Sequence, residues 1–352
     1  MTTLAAVHGV LPEHRYQQDE ITREFAKVCL GAEGNVDLLR RLHGNCCVDS
    51  RHLALPLDRY GSLSGFTESN DAFLLAATEL AAQAVSGALA AADVDPGDVD
   101  VIFSTTVTGL AVPSLDARIA ALVGFRPDVK RVPMFGLGCV AGAAGIARMH
   151  DYLLGRPDQV AVLLAVELCS LTVQRSDRSV ANLVASGLFG DGAAAVVAVG
   201  AGHEKAADGP QVVDTRSHLY PDTQRTMGWD FGASGFRIVL DAQVPALVEQ
   251  YLGADVRSLL AEHQLSVADV AHWVSHPGGP KVIEAIEREL ELPTEALELT
   301  WRSLAEVGNL SSVSVLHVLR DTIVKRSPVQ GTPGLLMAMG PGFCSELVLL
   351  SW

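Results

Sequence analysis

The segment FGLGCVAGAAG, residues 135–145, joins a strand-like stretch to a run of very small residues. Arg131 to Phe135 has the pattern of a strand, and Val140 to Leu154 has the composition of a helix. Cys139 is therefore predicted to lie where a helix begins, where backbone N–H groups and the helix dipole favour a thiolate. The surrounding glycines permit a sharp turn and the approach of a bulky substrate. Cys139 is a candidate nucleophile, although a packing cysteine in a Gly/Ala seam fits the local sequence equally well.

The segments around this stretch alternate between helix-like and strand-like patterns. Ala72 to Ala92 has helical spacing, and Pro96-Gly97-Asp98 ends it. Val99 to Thr105 and Val160 to Val166 are apolar runs of strand length. Buried strands separated by helices predict an α/β protein whose sheet is covered on both faces.

The same pattern returns in the second part of the chain, after a polar break at Gly200 to Gly209. Gly340-Pro341-Gly342 joins two apolar strands, much as Gly190-Asp191-Gly192 leads into one in the first part. We predict a duplication into two similar halves, residues 1–205 and 206–352, each ending in a hairpin.

The composition excludes several classes of protein. Of the 352 residues, 49% are hydrophobic and 19% charged, so a folded core is expected rather than disorder. The formal net charge is −15 and no Lys/Arg-rich block is visible, which argues against a nucleic-acid partner. Residues 1–11 lack the pattern of a signal peptide, and no uninterrupted apolar run predicts a membrane span. The six cysteines fit no zinc or disulfide spacing, so we expect a cytoplasmic protein with reduced thiols and no metal.

Two further residues complete a chemical set with Cys139. His276 follows a predicted strand and precedes the turn Pro277-Gly278-Gly279, which directs it into a loop region. Asn309 precedes a predicted helix, where helix capping is the alternative role. A thiolate can attack an acyl thioester while His and Asn donate hydrogen bonds to the oxyanion. The same pair can polarise a malonyl thioester, so that loss of CO2 leaves an enolate that forms a carbon–carbon bond. Papain-like proteases also use Cys, His and Asn, but their local signature is absent.

The sequence around these three residues resembles the bacterial type III polyketide synthases, the chalcone synthase-like family of the thiolase-fold superfamily. The resemblance runs through nearly the whole chain. It is carried by five segments in order: Gly138-Cys139-Val140-Ala141-Gly142, Leu188-Phe189-Gly190-Asp191-Gly192-Ala193, His276-Pro277-Gly278-Gly279-Pro280, Gly308-Asn309-Leu310-Ser311-Ser312 and Gly340-Pro341-Gly342-Phe343. It implies a five-layered αβαβα thiolase fold, a homodimer and an acyltransferase that uses CoA thioesters without a metal or redox cofactor.

The resemblance also implies which residues border the substrate cavity. Phe189 matches the family's first gatekeeper phenylalanine. Ile238 falls where the family usually has a second phenylalanine, although Phe236, two residues earlier, leaves a shifted register open. Ordinary packing is the alternative role for each matched position. The other matched cavity positions are Thr108, Glu167, Cys169, Thr172, Ser311, Gly342 and Phe343.

The positions that hold the CoA phosphates in this family are only partly matched. Arg41 matches one of three basic residues, whereas Leu38 and Asn45 occupy the other two places. The resemblance therefore predicts a rearranged CoA site, or a starter delivered by an acyl-carrier protein.

The leading hypothesis is iterative condensation of an aliphatic acyl starter with malonyl-type CoA extenders, giving an alkylpyrone or alkylresorcinol. It rests on Ile238, since an aliphatic side chain there would open an apolar passage. One alternative is a malonyl-only enzyme such as a tetrahydroxynaphthalene-type synthase. Another is a ketoacyl-ACP synthase III, whose histidine normally stands in a His-Gln-Ala-Asn context. A catalytically silent thiolase-fold scaffold is the alternative from a different class.

Overall fold

The structure is a computed structural model that describes residues 1–30, 34–175, 177–206 and 209–352. The strands are β1 (Thr2–Val10), β2 (His14–Gln17), β3 (Ser50–Leu53), β4 (Val99–Thr105), β5 (Lys130–Met134), β6 (Val160–Leu168), β7 (Asp191–Val199), β8 (Gln211–Leu219), β9 (Met227–Gly232), β10 (Gly235–Leu240), β11 (His272–Ser275), β12 (Pro333–Gly340) and β13 (Cys344–Ser351). The α-helices are α1 (Gln18–Phe25), α2 (Val36–Gly44), α3 (Phe66–Ala92), α4 (Leu115–Val123), α5 (Ala141–Leu154), α6 (Val180–Leu188), α7 (Val244–Glu262), α8 (Pro280–Leu290), α9 (Glu298–Val307) and α10 (Ser314–Asp321).

The main sheet consists of two half-sheets with the same pairing pattern. Its strand order is β11-β12-β13-β8-β1-β7-β6-β4-β5. In the first half-sheet β4 and β6 are parallel, and β6–β7 and β7–β1 are antiparallel. In the second, β11 and β12 are parallel, and β12–β13 and β13–β8 are antiparallel. Only Thr2–Val212 and Thr3–Gln211 pair β1 with β8, so the two half-sheets meet along a short seam.

Helices separate and cover the half-sheets. Helix α3 packs on the outer face of β1, β6 and β7, and α7 packs against β13 and α8 on the opposite outer face. Helices α5 and α10 touch each other and lie between the half-sheets: α5 contacts both β6 and β13, and α10 contacts both β1 and β12. This is the five-layered αβαβα thiolase fold that the family resemblance implies.

Helix α3 is long and apolar enough, by length and composition, to cross a membrane. In this fold one of its faces is occupied by the first half-sheet, where Phe73, Ala77, Ala81 and Val85 are buried. The apolar composition of α3 therefore serves the protein core.

One predicted feature of the first half is wrong. Strands β12 and β13 do form a hairpin that closes the second half, but β6 and β7 are not joined by a tight turn. The chain between them forms a turn at Cys169–Thr172 and then α6, whose first turn is capped by the Ser179 side chain accepting from the Asn182 N–H. Gly190-Asp191-Gly192 therefore follows a helix and not a strand, so the first half does not end in the predicted hairpin.

Candidate active site

Cys139 lies in a 3₁₀ turn, Gly138–Val140, that runs directly into α5. Its side chain is buried, and its Sγ lies 3.7 Å from the Oγ of Ser311. Gly138 has φ +56°, and a Cβ there would come within 2.7 Å of the Pro341 ring. The turn that presents the sulfur therefore requires glycine at residue 138, for both backbone and space.

Asn309 is held through its main chain and its side chain. Its N–H donates to Leu188 O and its carbonyl accepts from the Gly190 N–H, both at 2.9 Å. Its Oδ1 accepts from the Ser311 N–H at 2.8 Å, and its Nδ2 donates to Gly278 O at 3.3 Å. The side chain thus stabilises the turn that follows it, although Asn309 is not the N-cap residue of a helix, and it still has donor capacity left.

His276 follows β11 and remains tied to the sheet by its backbone N–H, which donates to Met337 O at 3.0 Å. Its imidazole is buried, and both ring nitrogens lack a hydrogen-bond partner among the residues that the structure describes. Buried polar atoms are rarely left without partners, so this ring is arranged for a group that arrives from outside the protein.

A cavity of about 510 Å³ brings the three side chains together. Its walls are mainly apolar, with Phe189 and Phe343 among the residues that border it. At its solvent end it is bordered by exposed Asn45 and Lys281. The cavity is therefore an apolar passage that leads from a polar entrance to the candidate nucleophile.

Burial controls the ionisation of both titratable groups in this set. It raises the pKa of the Cys139 thiol to about 12 and lowers the pKa of His276 to about 3. Both groups are thus neutral near pH 7, and burial of the thiol opposes the thiolate that a helix N-terminus favours. A neutral imidazole can accept the thiol proton when an acyl group binds and the sulfur attacks.

The comparisons with known proteins agree with this geometry. Residues 1–203 match the family model of the chalcone and stilbene synthases, N-terminal domain, and residues 211–351 match the model of their C-terminal domain. The chain belongs to this family. It is a bacterial type III polyketide synthase, and therefore an acyltransferase.

Named relatives cover the whole chain. The 1,3,6,8-tetrahydroxynaphthalene synthase of Streptomyces peucetius subsp. caesius is 56% identical over 352 residues, which is 100% of this chain and 93% of the relative. A protein described as a putative chalcone synthase from Bacillus subtilis (strain 168) is 33% identical, covering 100% and 99%. The crystal structure of the Streptomyces coelicolor A3(2) 1,3,6,8-tetrahydroxynaphthalene synthase superposes with a TM-score of 0.92 at 32% identity, covering 99% of both chains.

In this type III polyketide synthase Glu167 supports the site from behind and does not border the cavity. Its Oε1 accepts from Ser312 Oγ at 2.7 Å, and its Oε2 accepts from Thr108 Oγ1 at 2.8 Å and from the Val107 N–H at 3.1 Å. Burial still raises the pKa of this carboxyl to about 7, and its negative charge raises the pKa of Cys139. Glu167 was expected to border the substrate cavity. Instead, both of its carboxylate oxygens accept hydrogen bonds from protein groups behind the cavity wall.

We expect Glu167→Gln to make Cys139 more reactive. At pH 8 the wild-type carboxyl, with a pKa of about 7, is mostly ionised, and its charge opposes formation of the thiolate. Glutamine cannot ionise, so alkylation of Cys139 by iodoacetamide at pH 8 should become several-fold faster. Below about pH 6, where Glu167 is protonated, the two proteins should react at similar rates.

Peptide mass spectrometry assigns the alkylated cysteine in this comparison. Asp116 provides a matched control, since this buried carboxyl bonds Ser104 and Arg131 in a different part of the fold. Asp116→Asn should leave the alkylation of Cys139 unchanged at both pH values. Equal rates for Glu167→Gln and wild type at pH 8 would show that the carboxyl does not act on the thiol.

A second, smaller cavity of about 170 Å³ has a more polar lining than the first. Thr108 and Thr172 border it, as does Tyr60, whose hydroxyl bonds Ser170 Oγ at 2.5 Å. Two of the predicted cavity residues therefore belong to this second space. Phe236 also borders it and packs against other aromatic rings, with a centroid separation of 5.8 Å to Phe66.

Ile238 is not among the described residues that border either of the two cavities. Side chains alternate along a strand, so Phe236, Ile238 and Leu240 share one face of β10. Leu240 borders the first cavity and Phe236 the second, while Ile238 lies between them and pairs with Trp229 of β9. The ungapped match to the family placed Ile238 on β10, but it is Leu240 and Phe236 of that strand that border the two cavities.

The remaining predicted residues divide by position. Phe189 and Phe343 border the first cavity as expected, whereas Cys169 and Ser311 are buried and Gly342 is only partly buried; none of these three belongs to either described lining. Arg41 is exposed on α2, close in sequence to Asn45 at the cavity entrance.

Sequence reasoning missed two residues at or behind the site. Lys281 borders the entrance and has no ion-pair partner within the described ranges of the chain; its place directly after the His-Pro-Gly-Gly-Pro segment was a usable signal. Arg51 is fully buried and donates to the Phe189 carbonyl at 2.6 Å. No local pattern marks Arg51, because its partners lie far away in the sequence.

Proposed function

We propose that this synthase uses malonyl-CoA as both starter and extender and makes 1,3,6,8-tetrahydroxynaphthalene. The observation that carries the proposal is the 56% identity, over the full chain, to a synthase named for that product. Two further synthases named for it, from Streptomyces griseus and Streptomyces coelicolor, are 32% and 33% identical. These relatives favour the malonyl-only alternative over the aliphatic starter and its alkylpyrone or alkylresorcinol product.

Chemistry begins with acylation of Cys139. The sulfur attacks the thioester carbonyl, His276 takes the thiol proton, and the CoA thiolate leaves with that proton. In the next half-reaction His276 and Asn309 donate to the thioester oxygen of an incoming malonyl-CoA. The C–CO2 bond breaks, CO2 leaves, and the electron pair forms an enolate, which attacks the acyl-Cys139 carbonyl and releases the sulfur. Once its extra proton has left with CoA, His276 is again neutral, and its remaining ring N–H is the donor in the decarboxylation step.

Repeated condensation accounts for the product. Each malonyl unit leaves two carbons, so a ten-carbon naphthalene requires five units and releases five CO2 and five CoA. One aldol condensation within the chain loses one water. One Claisen closure onto the Cys139 thioester frees the sulfur, and enolisation gives the aromatic tetraol.

The entrance suits the anionic part of CoA. We propose that Lys281 and Arg41, on opposite elements α8 and α2, bind its phosphates in place of the basic residues replaced by Leu38 and Asn45. Asp241 also borders the entrance, where its carboxylate accepts from the Gln243 N–H at 2.8 Å. Lys281 therefore supplies positive charge where an otherwise acidic protein needs it.

We also propose that the protein forms a homodimer through the β5 edge of the main sheet. Strand β5 ends the strand order, so one side of it is unpaired. Large apolar side chains are exposed on and beside it: Val132, on β5, is 38% exposed, Phe135, directly after β5, is 53% exposed, and Leu122, on α4, which contacts β5, is 67% exposed. Exposed apolar residues in this number are typical of a surface that another chain covers.

Isotope labelling tests the proposed reaction. With uniformly ¹³C-labelled malonyl-CoA as the only thioester, we expect tetrahydroxynaphthalene or its air-oxidised quinone, with all ten carbons labelled in the mass spectrum. A parallel reaction adds unlabelled acetyl-, hexanoyl- and decanoyl-CoA and should give the same fully labelled product. An unlabelled two-carbon or longer segment, or an alkylpyrone formed only when an acyl-CoA is present, would overturn the malonyl-only proposal and restore the aliphatic one.

A further inference from the structure

Arg51, in β3, is a fully buried cation whose hydrogen-bond acceptors are all uncharged. Its Nε donates to Gln18 Oε1 at 3.1 Å, its Nη2 to Ser186 O at 2.8 Å and its Nη1 to Phe189 O at 2.6 Å. The buried Asp191 carboxylate attracts the guanidinium, but among the described residues no carboxylate is hydrogen-bonded to it. A buried charge is costly to desolvate, so these neutral acceptors carry its hydrogen bonds.

Two of these acceptors, the carbonyls of Ser186 and Phe189, lie at the C-terminal end of α6. The last turn of a helix leaves C=O groups without intrahelical partners, and a cation there also meets the negative end of the helix dipole. Arg51 donates hydrogen bonds to the carbonyls of Ser186 and Phe189, and Gln18 Nε2 donates to the carbonyl of Gly187 at 2.7 Å. Arg51 and Gln18 together therefore fix the chain where α6 turns into Phe189.

The same chain segment holds Asn309. Asn309 N donates to Leu188 O and Gly190 N donates to Asn309 O, so the residues on both sides of Phe189 clamp its backbone. The stem of Arg51 also packs on Gly308: a Cβ at residue 308 would lie 3.1 Å from Arg51 Cδ. One side chain thus contacts the backbone on both sides of the Phe189–Asn309 bridge.

We propose that Arg51 is a positioning residue for Asn309, which it acts on through the Phe189–Asn309 bridge. The inference rests on the proposed role of Asn309 as an oxyanion donor, but not on the identity of the product. A shift of Asn309 weakens donation to the enolate oxygen without changing the entrance that binds CoA. Replacing Arg51 should therefore lower kcat for malonyl-CoA decarboxylation and leave KM nearly unchanged.

A double-mutant cycle distinguishes positioning from general stability. Arg51→Lys and Arg51→Met are made in the wild type and in Asn309→Ala, and ¹⁴CO2 release from malonyl-CoA is measured. In the wild type we expect kcat to fall by about tenfold to 100-fold, less for Lys than for Met because Lys keeps the charge, with KM within about twofold. In Asn309→Ala the same substitutions should cost about twofold or less, because the residue they act through is gone.

Two controls complete the experiment. Leu259→Ala, in the buried face of α7 away from both cavities, lowers Tm without touching this cluster and should leave kcat within about twofold of the wild type. Should Arg51→Met fail to fold, Gln18→Leu removes the donor to Gly187 O and should show the same loss that vanishes in Asn309→Ala. Equal losses in both backgrounds, or a wild-type kcat for Arg51→Lys, would overturn the proposal. Product analysis of the wild type tests the proposed function separately.

Discussion

Cys139→Ala is expected to abolish polyketide formation, with a fall in kcat of about 10⁴-fold or more, as when other enzymes lose their nucleophile. The sulfur that accepts the acyl group is removed, so the growing chain has no covalent attachment. The variant should fold normally, because alanine fits a turn that is followed by the small residues of α5. Product formation by mass spectrometry and Tm by calorimetry measure the two effects.

Decarboxylation provides an internal check on this variant. His276 and Asn309 remain in place, so malonyl-CoA should still lose CO2 slowly without condensation. Cys29→Ala is the matched control, since Cys29 is equally buried but borders neither described cavity. Cys46 borders the first cavity as well, with its Sγ 3.3 Å from Leu42 O. Normal turnover by Cys139→Ala together with an inactive Cys46→Ala would place the nucleophile on Cys46 instead.

The catalytic residues were visible in the sequence because each stands in a local frame that has its own physical reason. Gly138 allows the turn that presents Cys139, and the Pro-Gly-Gly turn after His276 ends a strand at the cavity. An α/β protein with a covered sheet was also predictable, since apolar runs of strand length alternate with helical segments in both halves. The order of its five layers was implied only by the resemblance to the thiolase-fold family. Local patterns of this kind depend only on residues that are close together in the chain, so they can be recognised from the sequence.

Features that depend on distant residues were not predictable. Arg51 bonds carbonyls 135 and 138 residues away, and Glu167 receives the Ser312 hydroxyl 145 residues away. The burial of Cys139 was not predictable for the same reason. A helix N-terminus can be read from sequence, whereas the burial that raises the pKa of the thiol comes from segments that pack around it.

Ile238 shows a third kind of limit. An ungapped match can assign a residue to a strand, but it does not say which of two cavities each position of that strand faces. Phe236 and Leu240 border different cavities on either side of Ile238, so the aliphatic residue that suggested an alkyl starter is not itself in contact with either space. The preference for an aliphatic starter therefore lost its structural support together with that placement.

Asn309→Asp is expected to separate the two roles of this side chain. Aspartate keeps the oxygen that accepts from the Ser311 N–H, so the following turn should remain capped and Tm should change little. It has no N–H to donate, and its negative charge repels the enolate. Loss of one oxyanion donor lowers rates by about 10²–10³-fold, and we expect malonyl-CoA decarboxylation and condensation to fall by at least that much.

Asn309→Ala completes the comparison, because it removes both the donor and the acceptor for the Ser311 N–H. Its activity should fall as in Asn309→Asp, but its Tm should also drop, by the equivalent of about 1 kcal/mol for a lost hydrogen bond. Acylation of Cys139, followed by incorporation of ¹⁴C from labelled malonyl-CoA, should be reduced less than decarboxylation in both variants, since His276 still accepts the thiol proton. An Asn309→Asp protein with wild-type decarboxylation would leave Asn309 with a structural role only. In that case His276 would have to stabilise the enolate alone. It borders the same cavity as Cys139, and its ring nitrogens have no hydrogen-bond partner among the described residues.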